Sequence, residues 1–347
     1  IDPPTACLAA SPGGHLTLLE SVKDAFPGYR RVWVTGASSQ ADALRAAGEE
    51  VHVLAAWARD SRGVRGAAPN ILASIRLARD ERPAIVVTSG AGLVVPFALA
   101  ARAFGSELVV METMARVTDA SLTGRILAPL ARRVIVQWPE MRDAHRHTTV
   151  CRPALFEGPA RTGARREDES RGDGSGAGAG TFVSVGTRPD PFDRLLAVVD
   201  RAVDAGVLPK PVVAQAGASR YRPASYRTTA WMAPHEMEEA IARSRYVVCH
   251  AGAAILSSVL ASGRRPMVLP RRKREREHRT EHQEQIVERL ARWDLVVPVA
   301  GEITVEHVRA ADEPPRPLAL AAELPSVESV LRSEALAVLA APERRTD

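Results

Sequence analysis

Short apolar runs alternate with amphipathic, helix-length segments along most of the chain, and this alternation limits the folds open to it. A strand–helix–strand order places successive strands parallel in one sheet and covers both faces of that sheet with helices. The pattern therefore predicts an α/β fold with parallel sheets. The predicted strands are residues 5–10, 31–35, 51–54, 84–89, 108–112 and 134–138, followed by 181–185, 211–216, 245–249 and 266–270.

One segment interrupts the alternation. Residues 157–180 contain no large apolar side chain and end in a run of glycine, alanine and serine, a composition typical of flexible linkers. In a chain of 347 residues, such a linker separates two domains of ordinary size. We expect a first domain at residues 1–156 and a second at residues 181–347, which includes a C-terminal helix.

Composition and cysteine spacing narrow the class of protein. Hydrophobic residues make up 46% of the chain and charged residues 25%, as in soluble globular proteins, and no apolar run approaches the roughly 20 residues of a spanning helix. The spacing of Cys7, Cys151 and Cys249 fits neither a zinc motif nor a disulfide framework. With no signal-peptide pattern, we expect a cytoplasmic protein. The net charge of +5 is compatible with binding to nucleic acid, with binding to anionic lipid, or with a genome that prefers arginine to lysine.

The first candidate site follows the first predicted strand, in the sequence SPGGHLTLLE. Ligands of open α/β sheets bind beyond the carboxyl ends of the strands. Gly13 and Gly14 let backbone N–H groups approach an oxyanion at a helix N-terminus, and His15 adds a titratable group there. A tight strand-to-helix turn with a structural histidine explains the same residues.

Two further loops of the first half carry related signals. The sequence TSGAG places Ser89, Gly90 and Gly92 in a second glycine-rich turn before a helix, which predicts a second anion-binding helix N-terminus. In METMAR, a predicted strand ends at Glu112 with Arg116 nearby. The Glu112 carboxylate is either a general base or an ordinary ion-pair partner of Arg116.

In the second half, the sequences FVSVGT and CHAGAAILSSVL each end a predicted strand in small residues. The first leaves a gap of oxyanion size, and the second opens a helix whose N-terminal amides a diphosphate can approach. The residues concerned are Gly186, Thr187, His250, Ala251, Gly252 and Ala253.

Residues 270–285, PRRKREREHRTEHQEQ, combine many cations with Glu, His and Gln side chains. A charge run of this kind is most often a solvated loop. Nucleic-acid binding is a further interpretation, but the run lacks the interleaved aromatic side chains on which bases stack, and it contains no reader motif. We therefore expect no nucleic-acid partner.

Taken together, these motifs resemble those of bacterial glycosyltransferases that act on polyprenyl-diphosphate-linked sugars in exopolysaccharide synthesis. That family is related to the two-subunit enzyme that adds the second N-acetylglucosamine to dolichol diphosphate and, more distantly, to the lipid II-forming transferase of peptidoglycan synthesis. The first half is similar to the acceptor-and-membrane subunit in SPGGHLTLLE, TSGAGLVVPFALAA and METMARVTDASLTGRILAPLARRVIVQWPEM. The second half is similar to the donor-binding subunit in FVSVGTRPDPFDRLL, QAGASRY, CHAGAAILSSVL and PRRKREREHRTEHQEQ.

The resemblance implies a GT-B fold, in which two Rossmann-like α/β/α domains face each other across a cleft. It implies an inverting glycosyltransferase that needs no cofactor and transfers N-acetylglucosamine or another hexose from a nucleoside diphosphate sugar, usually linked to uridine. The chain contains no DxD motif, the metal-carboxylate signature of the other glycosyltransferase fold, which favours a metal-independent reaction.

The resemblance also implies roles for individual residues. His15 and Glu112 are the two candidates for the base that deprotonates the acceptor hydroxyl. The acceptor-binding residues are Gly13, Gly14, Ser89, Gly90, Gly92 and Arg116. The donor-binding residues are Gly186, Thr187, Gln215, Gly217, Met232, His250, Ala251, Gly252, Ala253, Ser258, Arg271, His278, Glu281, His282 and Gln283.

One departure from the family concerns the donor. Ser258 stands where family members have the Glu that holds the donor ribose, and a serine hydroxyl binds a ribose hydroxyl more weakly than a carboxylate does. The sequence thus leaves three functions open: a transferase on a lipid-linked acceptor, a transferase on a soluble acceptor, and a nucleotide-sugar-binding module without activity.

Membrane contact is expected to be peripheral, because we expect no N-terminal anchor of the kind that some relatives carry. Residues 57–79 combine Trp57 and aliphatic side chains with arginines at positions 59, 62, 65, 76 and 79, a mixture that suits the headgroup layer of an anionic membrane. A solvated loop followed by a helix packed on the sheet explains Ile71, Leu72 and Ile75 equally well.

Overall fold

The structure, a computed structural model, describes residues 2–55, 63–153, 178–186, 188–275, 277, 282–315 and 324–341. It divides into two compact units, one formed by Ile1–Glu157 with Leu320–Asp347 and one by Gly158–Ala319. The predicted linker at residues 157–180 lies outside the described residues, except for its last three positions.

The first unit is built on a parallel sheet. Its strands are β1 (Thr5–Ala10), β2 (Arg30–Gly36), β3 (Glu50–Leu54), β4 (Ile85–Gly90), β5 (Glu107–Met111), β6 (Arg133–Val136) and β7 (Thr148–Val150). The helices between them are α1 (Gly14–Glu20), α2 (Ser39–Ala46), α3 (Gly63–Glu81), α4 (Val95–Ala103) and α5 (Leu122–Leu127). The seven strands follow the order β3-β2-β1-β4-β5-β6-β7. The strands before β4 are added on one side of β1 and the strands from β4 onward on the other side, so the strand order has its reversal point between the parallel neighbours β1 and β4.

Every residue of β1 and β4 is buried, as central strands covered on both faces require. Leu8, Trp33 and Ile85 belong to the core that these strands form with α1. The two strands end side by side, which places the turns after them at the reversal point where α/β sheets bind ligands.

The second unit repeats this plan with shorter strands. They are β8 (Thr181–Ser184), β9 (Val212–Gln215), β10 (Thr228–Thr229), β11 (Tyr246–Cys249), β12 (Met267–Val268) and β13 (Val297–Pro298). The helices are α6 (Asp193–Asp204), α7 (Pro234–Arg243), α8 (Ala253–Ala261), α9 (His282–Arg292) and α10 (Val305–Asp312). The order β10-β9-β8-β11-β12-β13 puts the reversal between β8 and β11, at Gly186 and His250.

The last helix, α11 (Val327–Leu339), belongs to the first unit rather than the second. Leu331 and Ala335 are buried in the first unit's core, and the Glu334 carboxylate accepts hydrogen bonds from Arg132 and Arg133, each at 2.7 Å. The prediction that the second domain extends to residue 347 is therefore wrong. An amphipathic pattern shows that a helix needs a core, but it does not identify which core.

Candidate active site

The turn between β1 and α1 is open, and one side chain fixes its backbone. Gly13 has φ +93°, a conformation that residues with a side chain rarely adopt, and its N–H donates to Gln40 Oε1 at 2.6 Å. A Cβ atom at Gly13 or Gly14 would meet no atom within 4 Å. The turn leaves space for a ligand, but within the turn that we predicted to bind an oxyanion, the Gly13 N–H has a protein partner.

His15 is held at the ends of β1 and β4 by two hydrogen bonds with Ser89. Its Nδ1 lies 2.8 Å from the Ser89 carbonyl oxygen, and the Ser89 hydroxyl donates to the His15 carbonyl oxygen at 2.9 Å. Because a carbonyl oxygen only accepts, Nδ1 carries the proton of the neutral ring and Nε2 keeps its lone pair. Burial lowers the pKa of His15 below 6.5, although the Ser89 hydrogen bond and the Glu112 carboxylate oppose the change. The ring is therefore neutral at pH 7 and can accept a proton.

Glu112 follows β5 directly and is only 2% exposed. Its Oε1 accepts the Ser121 N–H at 2.9 Å and lies 3.1 Å from His145 Nε2. Gly124 is required beside it, since a Cβ atom there would stand 2.0 Å from Oε1. The side chain that contacts the Glu112 carboxylate is thus His145 rather than the predicted Arg116. Arg116 is half-buried and adds to the lowering of the His15 pKa.

The glycine-rich turn after β4 packs His15 against the start of α5. Gly90 has φ +100°, and a Cβ atom there would lie 3.4 Å from Thr123 Cγ2 and 3.9 Å from His15 Cε1. A 3-10 turn at Gly92–Val94 follows, and α4 begins only after it. Gly92 is thus the first residue of a helical segment that continues directly into α4, and an anion-binding site at this N-terminus stays a prediction.

In the second unit, the His250 ring fills the space between two glycines. A Cβ atom at Gly186 would stand 2.5 Å from His250 Cε1, and one at Gly252 would stand 2.3 Å from His250 Nε2. His250 is 8% exposed, and its Nδ1 lies 3.4 Å from the Ser184 carbonyl oxygen. Helix α8 begins immediately after Gly252. The predicted donor residues Gly186, His250, Ala251, Gly252 and Ala253 therefore come together at the reversal point of the second sheet.

Gln215 and Gly217 shape this turn from the side of β9. The Ser184 hydroxyl lies 3.4 Å from Gln215 Oε1 and accepts the Gly186 N–H at 3.3 Å. Gly217 has φ +52°, and a Cβ atom there would lie 2.7 Å from the Gly186 carbonyl oxygen. Gln215 is fully buried, so its side chain supports the backbone of the Gly186 turn rather than contacting a ligand.

Arg271 has a different role from the predicted one. It is fully buried, and burial lowers its pKa to about 10, which leaves it charged at pH 7. Its guanidinium stacks on the Phe192 ring, 4.7 Å from the ring centre. It donates to four backbone carbonyl oxygens at 2.9–3.2 Å, those of Val185, Asp190, Pro191 and Glu277. The prediction that Arg271 binds the donor is wrong, because a side chain with no exposed surface cannot reach a ligand.

Gln283 also turns inward. It is 7% exposed, and its Oε1 accepts the Arg271 N–H at 2.9 Å, so it supports Arg271 through this bond. His282 is half-buried at the start of α9, Ser258 is half-buried on α8, and Met232 is half-buried before α7. Three predicted donor residues lie outside the described residues: Thr187, His278 and Glu281.

Sequence reasoning missed three residues near these sites. His145 pairs with Glu112, and Thr123 packs beside Gly90. Trp231 follows β10 with 57% of its surface exposed, directly before Met232. An isolated tryptophan beside a strand end is a signal that the sequence does contain, whereas nothing in the spacing of His145 connects it to Glu112.

Among the described residues, one group offers three atoms that could hold a metal ion: Glu50, His52 and Glu81. Arg30 forms salt bridges with both carboxylates of this group. The group lies at the amino end of β3 and the end of α3, on the sheet edge opposite His15 and Glu112. It is therefore an ion-pair network that is separate from the candidate site.

Two family matches divide the chain in the same way as its units. Residues 63–152 match the family described as oligosaccharide biosynthesis protein Alg14 like, and residues 210–323 match the glycosyltransferase family 28 C-terminal domain. A UDP-N-acetylglucosamine–N-acetylmuramyl-(pentapeptide) pyrophosphoryl-undecaprenol N-acetylglucosamine transferase of Pseudomonas putida KT2440 is 32% identical over 213 residues. That match covers 58% of this chain and 55% of the relative, so the chain spans about half the length of the curated relatives it matches.

Solved structures match nearly the whole chain. Acinetobacter baumannii MurG aligns with a TM-score of 0.60 at 16% identity, over 97% of this chain and 91% of its own. The UDP-GlcNAc 2-epimerase of Methanocaldococcus jannaschii aligns with a TM-score of 0.62 at 8% identity, over 96% and 99%, and at such identities the likeness shows the fold alone. The predicted resemblance and the predicted α/β fold of the GT-B type are confirmed. The chain thus joins an Alg14-like segment in its first unit to a glycosyltransferase family 28 C-terminal segment in its second, on a fold of the GT-B type.

Proposed function

We propose that the protein is an inverting, metal-independent glycosyltransferase. It transfers N-acetylglucosamine or another hexose from a uridine diphosphate sugar to a polyprenyl-diphosphate-linked sugar. The observation that carries the proposal is the neutral His15 imidazole, whose Nε2 keeps its lone pair, in the unit that contains the Alg14-like segment. The names of the curated relatives describe transfer of N-acetylglucosamine to a lipid-linked acceptor, which supports this donor and this acceptor class.

The donor diphosphate binds where β8 and β11 end. Helix α8 has nine residues, begins beside His250, and directs its N-terminal amides and the positive end of its dipole toward that point. Backbone N–H groups fixed in this way stabilise the negative charge that develops on a leaving diphosphate, as a metal ion does in other enzymes. His250, wedged between Gly186 and Gly252, keeps the two turns at a fixed spacing.

The acceptor reacts at His15. Nε2 takes the proton of the acceptor hydroxyl while the hydroxyl oxygen forms a bond to the anomeric carbon of the sugar. The bond from that carbon to the diphosphate breaks, its electron pair leaves with uridine diphosphate, and the configuration inverts. Glu112 is too well shielded to meet the hydroxyl itself. It instead stabilises the imidazolium that forms, since its carboxylate acts to raise the pKa of His15.

A lipid-linked acceptor requires contact with a membrane surface. No helix in the described part of the chain is long and apolar enough to cross a bilayer. The first unit has an apolar groove of about 510 Å³ between α3 and α4, lined by Ile71, Ile75, Pro96, Leu99, Ala100, Ala103 and Phe104. Leu72, Arg76 and Arg79 are exposed on α3. Anionic headgroups suit this mixture of apolar and cationic side chains, each arginine contributing roughly 1 kcal/mol near the surface.

The predicted membrane segment is described only in part. Trp57, Arg59 and Arg62 lie outside the described residues, as does the side chain of Arg65. Co-sedimentation with vesicles of graded anionic lipid content tests the contact through α3. Binding should rise with anionic lipid, weaken with salt, and fall in an Arg76→Glu/Arg79→Glu variant but not in Arg227→Glu, which alters an exposed arginine of the second unit. Equal sedimentation of the two variants would contradict the membrane contact.

Donor binding is tested on the full chain by thermal shift with a panel of nucleoside diphosphate sugars, and uridine monophosphate and free hexoses serve as controls. A true donor at 100 times its dissociation constant stabilises the fold by roughly 2.7 kcal/mol. We expect a uridine diphosphate sugar to raise the melting temperature most. If no nucleoside diphosphate sugar stabilises the protein, the proposed function is wrong.

A further inference from the structure

His145 contacts the carboxylate of Glu112, the side chain whose charge raises the pKa of His15. Its Nε2 lies 3.1 Å from Glu112 Oε1, and only 4% of the His145 side chain and 3% of the Glu112 side chain are exposed. Leaving a charged group without its partner at such burial is strongly destabilising, so the pair constrains both side chains. The Ser121 N–H reaches the same Oε1 atom at 2.9 Å. His145 and Ser121 therefore hold the Glu112 carboxylate together.

The segment that carries His145 is itself fixed to the strand end that carries Glu112. Gln137 Nε2 donates to the Glu112 carbonyl oxygen at 2.9 Å, and Trp138 Nε1 donates to the Met114 carbonyl oxygen at 2.7 Å. On the other side, the Thr148 hydroxyl donates to the His145 carbonyl oxygen at 2.8 Å. With its flanks tied on both sides, His145 has little freedom to leave Glu112.

A continuous set of contacts joins His145 to the reacting end of the site. Glu112 lies against Gly124 of α5, the neighbouring Thr123 packs beside Gly90, and Gly90 packs beside the His15 ring. The charged groups that act on His15 from these elements are Glu112, which raises its pKa, and Arg116, which lowers it. If the carboxylate turned away from His15, only the Ser89 hydrogen bond would still oppose the lowering of the His15 pKa by burial and Arg116.

We propose that His145 is a positioning residue of the acceptor-side site: it fixes the Glu112 carboxylate in the orientation in which that carboxylate supports proton uptake by His15. The catalytic consequence rests on the proposed function, whereas the effect on His15 does not. Removing His145 weakens the base without removing it. His145 does not touch the substrates itself, so donor binding is independent of it.

The experiment is a pH titration of the full chain with labelled histidine, in which NMR follows the His15 ring from pH 4.5 to 8.5. Wild type is compared with Glu112→Gln, with His145→Phe, which keeps a ring but has no donor, and with His145→Gln, whose amide restores an N–H. We expect the His15 pKa to fall by about half a unit or more in Glu112→Gln and His145→Phe, and to return toward wild type in His145→Gln.

A purely structural role for His145 would lower the melting temperature of His145→Phe but leave the His15 pKa unchanged, and that result would overturn the proposal. A His15 ring that stays neutral down to pH 4.5 in wild type would overturn it as well, since Glu112 would then have no hold on its charge. Once a donor and an acceptor are known, His145→Phe should lower kcat roughly tenfold or more at unchanged KM for the donor, with rescue in His145→Gln. If no transfer occurs in wild type while the titration behaves as expected, the proposed function fails and the positioning role stands.

Discussion

His15 and Ser89 fix each other: His15 Nδ1 lies 2.8 Å from the Ser89 carbonyl oxygen, and the Ser89 hydroxyl donates to the His15 carbonyl oxygen at 2.9 Å. His15 lies in α1, which follows β1, and Ser89 lies near the end of the neighbouring strand β4, so both residues are at the reversal point of the first sheet. Because the first of these bonds requires a proton on Nδ1, it leaves the lone pair on Nε2. The sheet topology thus prepares the histidine as a base before any substrate binds.

Replacing His15 should stop catalysis but not donor binding. In His15→Ala we expect kcat to fall by roughly 10²–10⁴-fold, the usual contribution of a positioned base, and donor affinity to change by no more than a few-fold. Steady-state kinetics and calorimetric titration measure the two quantities. Ser89→Ala, which keeps the carbonyl bond to Nδ1, is the matched control and should lose far less activity. Full activity in His15→Ala together with loss in Glu112→Gln would instead make Glu112 the base.

The lowered pKa of His15 predicts a pH dependence of stability. Burial holds the folded-state pKa below the ordinary 6.5, so between these two values the unfolded state binds more protons than the folded state. The free energy of unfolding should therefore fall as the pH drops below about 6.5, and this contribution should be level above it. Denaturant unfolding at pH 5 to 8 should show a weaker fall in His15→Gln than in wild type. Identical slopes would mean that His15 is not buried as a neutral ring.

The two glycines around His250 should tolerate no side chain. A methyl group at Gly252 would stand 2.3 Å from His250 Nε2, while one at Gly301, an exposed position of the same unit, would meet nothing within 4 Å. We expect Gly252→Ala to weaken donor binding at least tenfold, because the His250 ring or the start of α8 must move, and Gly301→Ala to bind like wild type. Calorimetric titration of each variant with a uridine diphosphate sugar measures these affinities. Equal affinities would show that the donor does not use this turn.

Arg271 should act on stability rather than on the donor. Its buried guanidinium joins the loop after β8 to the segment after β12, so Arg271→Met should destabilise the second unit by about 3–5 kcal/mol, the usual effect of breaking a buried charged network. Arg227→Ala, at an exposed position, should stay within about 0.5 kcal/mol. Chemical denaturation measures both. If Arg271→Met were as stable as wild type but had lost its affinity for the donor, Arg271 would instead be a donor-binding residue.

Much of the fold follows from the sequence because the central strands are short, mostly apolar runs that are followed by glycine-rich turns. β1 and β4 are of this kind. β7, β10 and β13 have two or three residues each, too few for a recognisable period, and the sequence does not predict them.

Side-chain roles were harder to predict than strands. Residue type and position place His15 and His250 beside strand ends, where the structure has them. The same reasoning fails for Arg271, because a cation near a phosphate site and a cation that binds carbonyl oxygens look alike in sequence. It also misses His145, since only folding brings it to Glu112.

The most direct test of the central claim is a transfer assay with the full chain. The protein is incubated with labelled uridine diphosphate sugars and vesicles that contain a polyprenyl-diphosphate-linked sugar, and the label is followed into the lipid phase together with the released uridine diphosphate. We predict that one labelled sugar enters the lipid phase with one uridine diphosphate released per sugar, and that His15→Ala abolishes the transfer. Transfer to soluble acceptors alone, or a change in the sugar without transfer to any acceptor, would contradict the account.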